Sequence, residues 1–104
     1  MSVFRELESE VFEQEMRADE HAILLDVRTP AEVEEKRIPN CLNLDFNSPD
    51  FITQADELDK NASYYLYCRS GVRSVHACMT MSSLGFEKLA NLKSGILGWH
   101  GETV

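Results

Sequence analysis

The residues with the clearest chemical potential are a cysteine and two arginines in the segment CRSGVR, residues 68–73. Cys68 follows a strand-like apolar run, and a helix-like pattern follows the segment, so the thiol lies on a tight strand-to-helix turn. Gly71 can adopt a positive φ, which lets successive backbone N–H groups point into one concavity at the positive end of the helix. We expect a thiol in that position to be substantially ionised at neutral pH, with Arg69 and Arg73 adding positive charge.

This cysteine–arginine turn suits a thiolate nucleophile that receives an anionic substrate and holds a negatively charged covalent intermediate. A lone cysteine at the end of a strand is often only part of the core, but a core cysteine rarely has a glycine turn and two arginines beside it. Two chemistries use such a loop, phosphate-ester hydrolysis and sulfur transfer. Four residues separate Cys68 from Arg73, one fewer than in cysteine-dependent phosphatases. The smaller pocket favours a single extra sulfur on the cysteine, and a small phosphatase or an arsenate reductase is the less favoured alternative.

The composition of the 104-residue chain is that of one globular domain covering residues 1–104, with 43% hydrophobic and 27% charged residues. The formal net charge of −8 argues against nucleic acid as the main partner, because phosphate binding needs a basic face. The acidic N-terminal stretch has the pattern of neither a signal peptide nor a transit peptide, and no apolar run reaches the ~18 residues of a membrane-spanning helix. We therefore expect a cytoplasmic protein that binds neither membranes nor nucleic acid.

The three cysteines, Cys41, Cys68 and Cys78, are an odd number and form no CxxC pair. This pattern indicates reduced thiols rather than disulfides or a zinc site. Cys78 has the spacing of a core position on a helix, and Cys41 is the better candidate of these two for a resolving thiol, although packing is the favoured role for both. His76 could form a Cys–His dyad with Cys68. However, a turn that already favours the thiolate needs no separate base, so we expect an exposed histidine.

Short apolar runs alternate with helical patterns along the chain, which predicts an α/β domain with a mainly parallel sheet. Because ligands of such sheets bind at the carboxyl ends of the strands, the turn that carries Cys68 lies where a site is expected. Thr29 and Pro30 are typical of a helix start, and Gly85 is typical of a helix end. The predicted strands cover residues 23–27, 41–46, 64–67 and 89–92, and the predicted helices cover residues 9–17 (with Ser9 as N-cap), 31–36, 48–58 and 74–84, with a final turn or short helix around residues 95–99.

Longer segments of the chain resemble the single-domain rhodaneses, a family of sulfurtransferases. The matching segments are LLDVRTPAEVEEKRIPNCLNLDF, YLYCRSGVRS and GFEKLANLKSGILGW, which follow the family's order and spacing between about residues 20 and 100. The resemblance implies a rhodanese-like three-layer domain with a mainly parallel central sheet flanked by helices. It also implies that Arg28 of the DVR motif pairs with a helix carboxylate, here Glu32. The chain departs from the family at residues 36–41, KRIPNC instead of the usual GHIPGA, and at Ser94, where a second glycine is common.

The same resemblance implies a reaction. Cys68 would take a sulfane sulfur from thiosulfate or a similar donor, form a persulfide, and pass the sulfur to a thiol or to cyanide. The arginines would steer the anionic donor and the loop amides would hold the outer sulfur, so the implied substrate-binding residues are Arg69, Ser70, Gly71, Val72 and Arg73. Neither a cofactor nor a metal is implied. The alternative within the family is a persulfide carrier, or a binding module, that delivers sulfur to a partner protein.

Overall fold

The computed structural model describes residues 3–104, and its centre is a parallel β-sheet of five strands with helices on both faces. The strands are β1 Arg5–Leu7, β2 Ala22–Asp26, β3 Leu42–Asn43, β4 Ser63–Tyr67 and β5 Leu89–Leu92. The helices are α1 Ser9–Ala18, α2 Pro30–Glu35, α3 Phe51–Asp56 and α4 Val72–Ser83, followed by a short 3-10 helix, Ile96–Gly98. The strands lie in the order β1-β5-β4-β2-β3, and all their pairings are parallel. The α/β architecture predicted from the sequence is confirmed.

Strands β2 and β4 form the middle of the sheet because both consist largely of apolar residues that can be buried on two faces. They pair in parallel from Ala22 opposite Ser63 to Asp26 opposite Tyr67. Strand β4 is buried from Tyr64 onward. Since β2 and β4 end together, the segments that follow Asp26 and Tyr67 meet at one edge of the sheet, which is the edge where a site was expected.

Alternate residues of β4 face two separate hydrophobic layers. Tyr64 and Leu66 lie in the layer that also holds Cys68, whereas Tyr65 and Tyr67 lie in the layer on the other face. The helices contribute these buried side chains: Phe51 and Ala55 from α3 and Ala77, Cys78 and Met81 from α4 to the first layer, and Phe12 from α1 to the second. Cys68 therefore leaves the sheet on the side of α4, the helix that begins immediately after its loop.

Helix α2 begins with a capping box, as the Thr29-Pro30 start suggests. The Thr29 Oγ1 accepts a hydrogen bond of 3.3 Å from the Glu32 backbone N–H, and the Glu32 Oε1 accepts one of 3.1 Å from the Thr29 N–H. Pro30 occupies the first turn, where its missing N–H costs no hydrogen bond. The box satisfies helix-end donors, and it holds the Glu32 carboxylate at the start of α2.

Two predicted elements are shorter in the structure. The strand predicted over residues 41–46 is reduced to β3, Leu42–Asn43. The Asn43 side-chain amide donates to the carbonyls of Asp26 and Arg28, at 2.9 Å each. The helix predicted over residues 48–58 begins only at Phe51, after a polar turn. Within residues 3–104, no helix has both the length and the apolar character needed to cross a bilayer.

The N-terminal segment also differs from the prediction. Strand β1 was not predicted, because a three-residue edge strand with two charged, exposed side chains shows no apolar pattern. Glu8, not Ser9, is the N-cap residue of α1. The Ser9 hydroxyl instead accepts a hydrogen bond of 2.9 Å from the His100 backbone N–H, so it ties the C-terminal segment to α1.

Candidate active site

The loop that joins β4 to α4 is closed by Gly71, which is the N-cap residue of α4. Its φ is 97°, in the left-handed region that favours glycine. A Cβ at this position would lie 2.2 Å from the backbone oxygen of Lys93. Both observations require glycine here, so the tight turn inferred from the sequence is confirmed.

The Sγ atom of Cys68 lies at the floor of this loop and accepts three hydrogen bonds. The donors are the Gly71 N–H at 3.1 Å, the Ser74 N–H at 3.4 Å and the Ser74 hydroxyl at 3.3 Å. The sulfur is therefore held in place by donors from the loop and from the first turn of α4. The sequence interpretation had missed Ser74. Its position in the first turn of a helix, where backbone N–H groups are free, was the signal that could have identified it.

Other amides of the loop remain available for an anion. In the part of the chain that the structure describes, no hydrogen bond engages the backbone N–H of Arg69, Ser70, Val72 or Arg73. Val72 and Arg73 occupy the first turn of α4, at the positive end of the helix dipole. The loop thus combines a nucleophilic atom with a set of unused N–H donors, which is a typical anion-binding arrangement.

The turn around Gly95 forms the back of the loop. Gly95 has a φ of 66°, and a Cβ on it would lie 2.2 Å from the backbone oxygen of Arg69. The Ile96 N–H donates to the Cys68 carbonyl at 2.9 Å, and the Leu97 N–H donates to the Arg69 carbonyl at 3.2 Å. These bonds hold the loop carbonyls away from its concave side. Nothing in the sequence interpretation had connected this C-terminal turn with the cysteine.

The Arg73 guanidinium is engaged by a carboxylate. It donates two hydrogen bonds of 2.8 Å to the Glu32 carboxylate, and both side chains are about three-quarters buried. These bonds to Arg73 lower the pKa of Glu32 from its ordinary value of 4.5 to about 2. The side chain of Arg73 therefore connects α4 to α2. Its backbone N–H, in contrast, makes no hydrogen bond within residues 3–104.

Arg28 does not pair with Glu32, so that expectation was wrong. Its guanidinium lies 2.7 Å from the Asp26 carboxylate and donates a further bond of 2.7 Å to the Lys36 carbonyl. Arg28 is 4% exposed and Asp26 is fully buried. The reason is geometric: Arg28 follows β2 directly and folds back onto the last residue of that strand, while Glu32 faces α4. The Asp26–Arg28 pair is structural, and it supports the end of β2.

Arg69 is the arginine at this edge whose side chain makes no ion pair within residues 3–104. It is exposed and borders a cleft of about 210 Å³ beside the loop. The cleft is lined by Arg28, Glu32, Glu35, Lys36, Arg69, Ile96 and Leu97. Its guanidinium is thus a cation at the rim of the loop that no carboxylate neutralises within residues 3–104.

The other candidate residues lie away from the sulfur. Cys41 packs in the layer on the opposite face of the sheet from Cys68, and burial raises its pKa. Cys78 is fully buried in α4, and burial raises its pKa well above the usual range. All three cysteines are free, as predicted, and His76 is exposed. The described residues contain no group of three or more His, Cys, Asp or Glu side chains suited to a metal ion.

Known proteins resemble this chain in sequence and in architecture. The family model for the rhodanese-like domain matches residues 9–102. A sulfurtransferase of Allochromatium vinosum is 36% identical over 98 residues, which cover 92% of this chain and 90% of that protein. YrkF of Bacillus subtilis, provisionally named a sulfur carrier protein, is also 36% identical over 98 residues, which cover 94% of this chain but 52% of that protein.

Solved structures agree in fold. A rhodanese-like domain protein from Staphylococcus aureus has a TM-score of 0.82 at 22% identity, with 95% of this chain and 94% of that chain covered. A rhodanese-related protein from Thermoplasma volcanium has a TM-score of 0.83 at 24% identity, with 97% and 98% covered. Because the family model spans nearly the whole chain and the Allochromatium relative exceeds 30% identity over most of both proteins, this chain belongs to the rhodanese-like domain family.

Proposed function

We propose that this protein is a sulfurtransferase that moves sulfane sulfur from thiosulfate, or a similar anionic donor, to a thiol or to cyanide through a persulfide on Cys68. The observation that carries the proposal is the position of the Cys68 Sγ, which receives the N–H groups of Gly71 and Ser74 below a set of unused loop amides. The match to a sulfurtransferase over 92% of the chain supports the same reaction class.

In the first step, the Cys68 thiolate attacks the outer sulfur of thiosulfate. The new S–S bond forms as the sulfur–sulfur bond of thiosulfate breaks, and sulfite leaves with the electron pair. In the second step, a thiolate or cyanide attacks the outer sulfur of the persulfide, and the Cys68 thiolate is released. The two steps balance, so no external oxidant or reductant is needed.

The residues around the sulfur have separate roles in this proposal. The exposed Arg69 guanidinium attracts the anionic donor, and the free backbone N–H groups of Arg69, Ser70, Val72 and Arg73 hold the negative charge of the outer sulfur. Ser74 stabilises the thiolate between turnovers through its hydroxyl. Arg73 contributes its N–H to the substrate and its side chain to the position of the loop.

A persulfide carrier that relays sulfur to a partner protein is the second candidate. The similarity to YrkF, whose provisional name assigns it to sulfur carriers, favours this role. The formal charge of −8 would also suit docking to a basic partner surface. Both roles share the Cys68 persulfide, and the three free cysteines suit the reducing cytoplasm. A phosphatase or arsenate reductase is disfavoured, because four residues rather than five separate Cys68 from Arg73.

Intact mass after incubation with thiosulfate tests the proposal. We expect the wild-type protein to gain one sulfur atom that maps to Cys68 by peptide mass spectrometry, and we expect Cys68→Ser to gain none. Cys41→Ser is the matched control, because it removes a partly buried thiol on the other side of the sheet and should still gain the sulfur. Cyanide should then remove the sulfur as thiocyanate. A wild-type protein whose mass stays unchanged would contradict the proposal, and slow turnover with cyanide despite full persulfide formation would favour the carrier role.

A further inference from the structure

A buried amide lies directly beneath the active-site loop. Asn91 belongs to β5, is fully buried, and points to the face of the sheet on which α4 packs. Its Nδ2 donates to the Gly71 carbonyl at 3.3 Å and to the Glu6 carboxylate of β1 at 2.5 Å. The two bonds connect the outermost strand of the sheet, through β5, to the glycine that closes the loop around Cys68.

This contact helps to fix the direction of one loop amide. In a trans peptide the C=O and the next N–H point in opposite directions, and the chain has no cis peptide among its described residues. The Gly71 carbonyl accepts one bond of 3.4 Å from the Val75 N–H of α4 and one of 3.3 Å from Asn91, and together they direct it inward, beneath the loop. The N–H of Val72 must therefore point outward, to the side where substrate arrives. No hydrogen bond engages that N–H within residues 3–104.

The Asn91 side-chain amide also destabilises the fold at this position. The Asn91 Oδ1 is buried and has no hydrogen-bond partner among the described residues, and an unsatisfied buried oxygen destabilises the folded state. Its neighbours along β5, Leu89 and Leu92, are apolar and equally buried. An apolar residue would thus suit the strand better, and what the asparagine adds is the bond to Gly71.

We propose that the Glu6–Asn91 pair is a positioning device for sulfur transfer, and that it aims the Val72 N–H at the outer sulfur of the donor and of the persulfide. Glu6 orients the Asn91 amide, and Asn91 holds the Gly71 peptide. Neither side chain touches the substrate. This inference rests on the proposed sulfur transfer through Cys68. It predicts that the pair affects transfer more than it affects the reactivity of the thiolate, whose own N–H donors belong to Gly71 and Ser74.

The test measures two rates in the full chain: persulfide formation from thiosulfate, and alkylation of Cys68 by iodoacetamide. In Asn91→Leu we expect persulfide formation to fall roughly 5- to 10-fold, because the Gly71 carbonyl keeps only its bond from the Val75 N–H and the Val72 N–H is less firmly oriented. In Glu6→Ala we expect a loss of about 3-fold, because Asn91 keeps its bond to Gly71 but is less firmly oriented. Alkylation should stay within about 2-fold of wild type in both, since a neutral reagent makes no use of the Val72 N–H.

Glu8→Ala is the matched control, because it removes a nearby negative charge that faces Lys93 rather than Asn91. If Glu6 acted only through its charge, its removal would speed the reaction with an anionic donor, as in the control. A loss of rate in Glu6→Ala therefore indicates positioning. Glu6 is exposed on an edge strand, so this variant should fold even if Asn91→Leu does not.

Equal persulfide formation in wild type and Glu6→Ala would overturn the inference, and so would equal losses in transfer and alkylation. A wild-type protein that gains no sulfur would instead contradict the proposed function. In that case the backbone amide resonance of Val72 still tests the positioning role. It should shift in Glu6→Ala and not in Glu8→Ala, and an unchanged Val72 resonance in Glu6→Ala would overturn that role.

Discussion

Arg73 and Glu32 join the first turn of α4 to the first turn of α2 through two parallel N–H···O bonds of 2.8 Å. Their side chains are 27% and 28% exposed, so solvent reaches the pair only in part. A guanidinium whose two terminal nitrogens both donate to one carboxylate is a poor receptor for a second anion, because its charge is already paired. The two arginines of the CRSGVR segment should therefore contribute differently to activity.

The first prediction separates these two arginines. Arg69→Ala should raise the KM for thiosulfate by about 10-fold and leave the free energy of unfolding nearly unchanged, because an exposed cation that attracts the donor is lost. Arg73→Ala should lower the free energy of unfolding by about 1 kcal/mol and reduce kcat, because α4 and its loop lose their connection to α2. Steady-state kinetics and urea unfolding measure both effects.

Arg17→Ala is the control for the loss of one arginine, since Arg17 pairs with Glu13 on the surface of α1. It should change neither KM nor kcat. Equal increases of KM in Arg69→Ala and Arg73→Ala would show that the Arg73 side chain also receives the donor.

The second prediction concerns acid stability. The pKa of Glu32 is about 2 in the folded protein against an ordinary 4.5, so folding favours its carboxylate form. The stabilisation is complete above pH 4.5 and is lost as the pH falls toward 2. Because the pair is partly exposed, we expect the difference between wild type and Glu32→Gln to be about 1 kcal/mol at pH 6 and close to zero at pH 2. Urea unfolding at both pH values checks this, and a difference that does not change with pH would contradict it.

The third prediction uses two glycines with positive φ. Gly95 and Gly85 have φ of 66° and 103°, so alanine should cost roughly 1 kcal/mol of stability at Gly85 and more than that at Gly95, where ψ is −171°. An added Cβ at Gly95 would collide with the Arg69 carbonyl, whereas at Gly85 the nearest atom is 3.7 Å away. We expect Gly95→Ala to lower sulfur transfer by about 10-fold or more and Gly85→Ala to leave the rate unchanged. A similar loss of rate in both would show that the Gly95 turn acts only through stability.

The fourth prediction concerns the hydroxyl that donates to the sulfur. Ser74→Ala keeps the Ser74 N–H but removes the Oγ donor, which lies 3.3 Å from the Cys68 Sγ. One such bond is worth about 0.5–1.5 kcal/mol, so alkylation of Cys68 at pH 7 should slow by about 2- to 10-fold. Ser70→Ala, on the exposed side of the same loop, should have no such effect. A Ser74→Ala rate equal to wild type would indicate that the backbone N–H groups alone hold the thiolate.

Local sequence patterns predicted the parts of the fold that local physics determines. The apolar runs at 23–27 and 64–67 indicated buried parallel strands, and the Thr29-Pro30 start indicated α2, because both depend on neighbouring residues. Strand β1 could not be predicted, since its three residues form a strand only by pairing with β5. Cys68 and Gly71 of the candidate site, in contrast, could be identified from the sequence, because their signal lies within one short segment.

The contacts between distant segments were not predictable in the same way. The pairing of Arg73 with Glu32, instead of Arg28 with Glu32, depends on how α2 and α4 lie relative to each other. The roles of Gly95 and Asn91 depend on β5 lying beside β4. A single sequence gives no distances between segments, so these contacts could be recognised only once the sheet order was known.

The Gly95 turn also has a consequence for when the thiol becomes reactive. Cys68 and its helix are made before β5 and the turn, yet the loop carbonyls of Cys68 and Arg69 find their partners only in the N–H groups of Ile96 and Leu97. During synthesis the cysteine would therefore emerge in an unfinished loop. The pocket that holds the transferred sulfur would be complete only once the last third of the chain has been made and the Gly95 turn has docked, so a chain that ends before residue 97 should bind no sulfur stably.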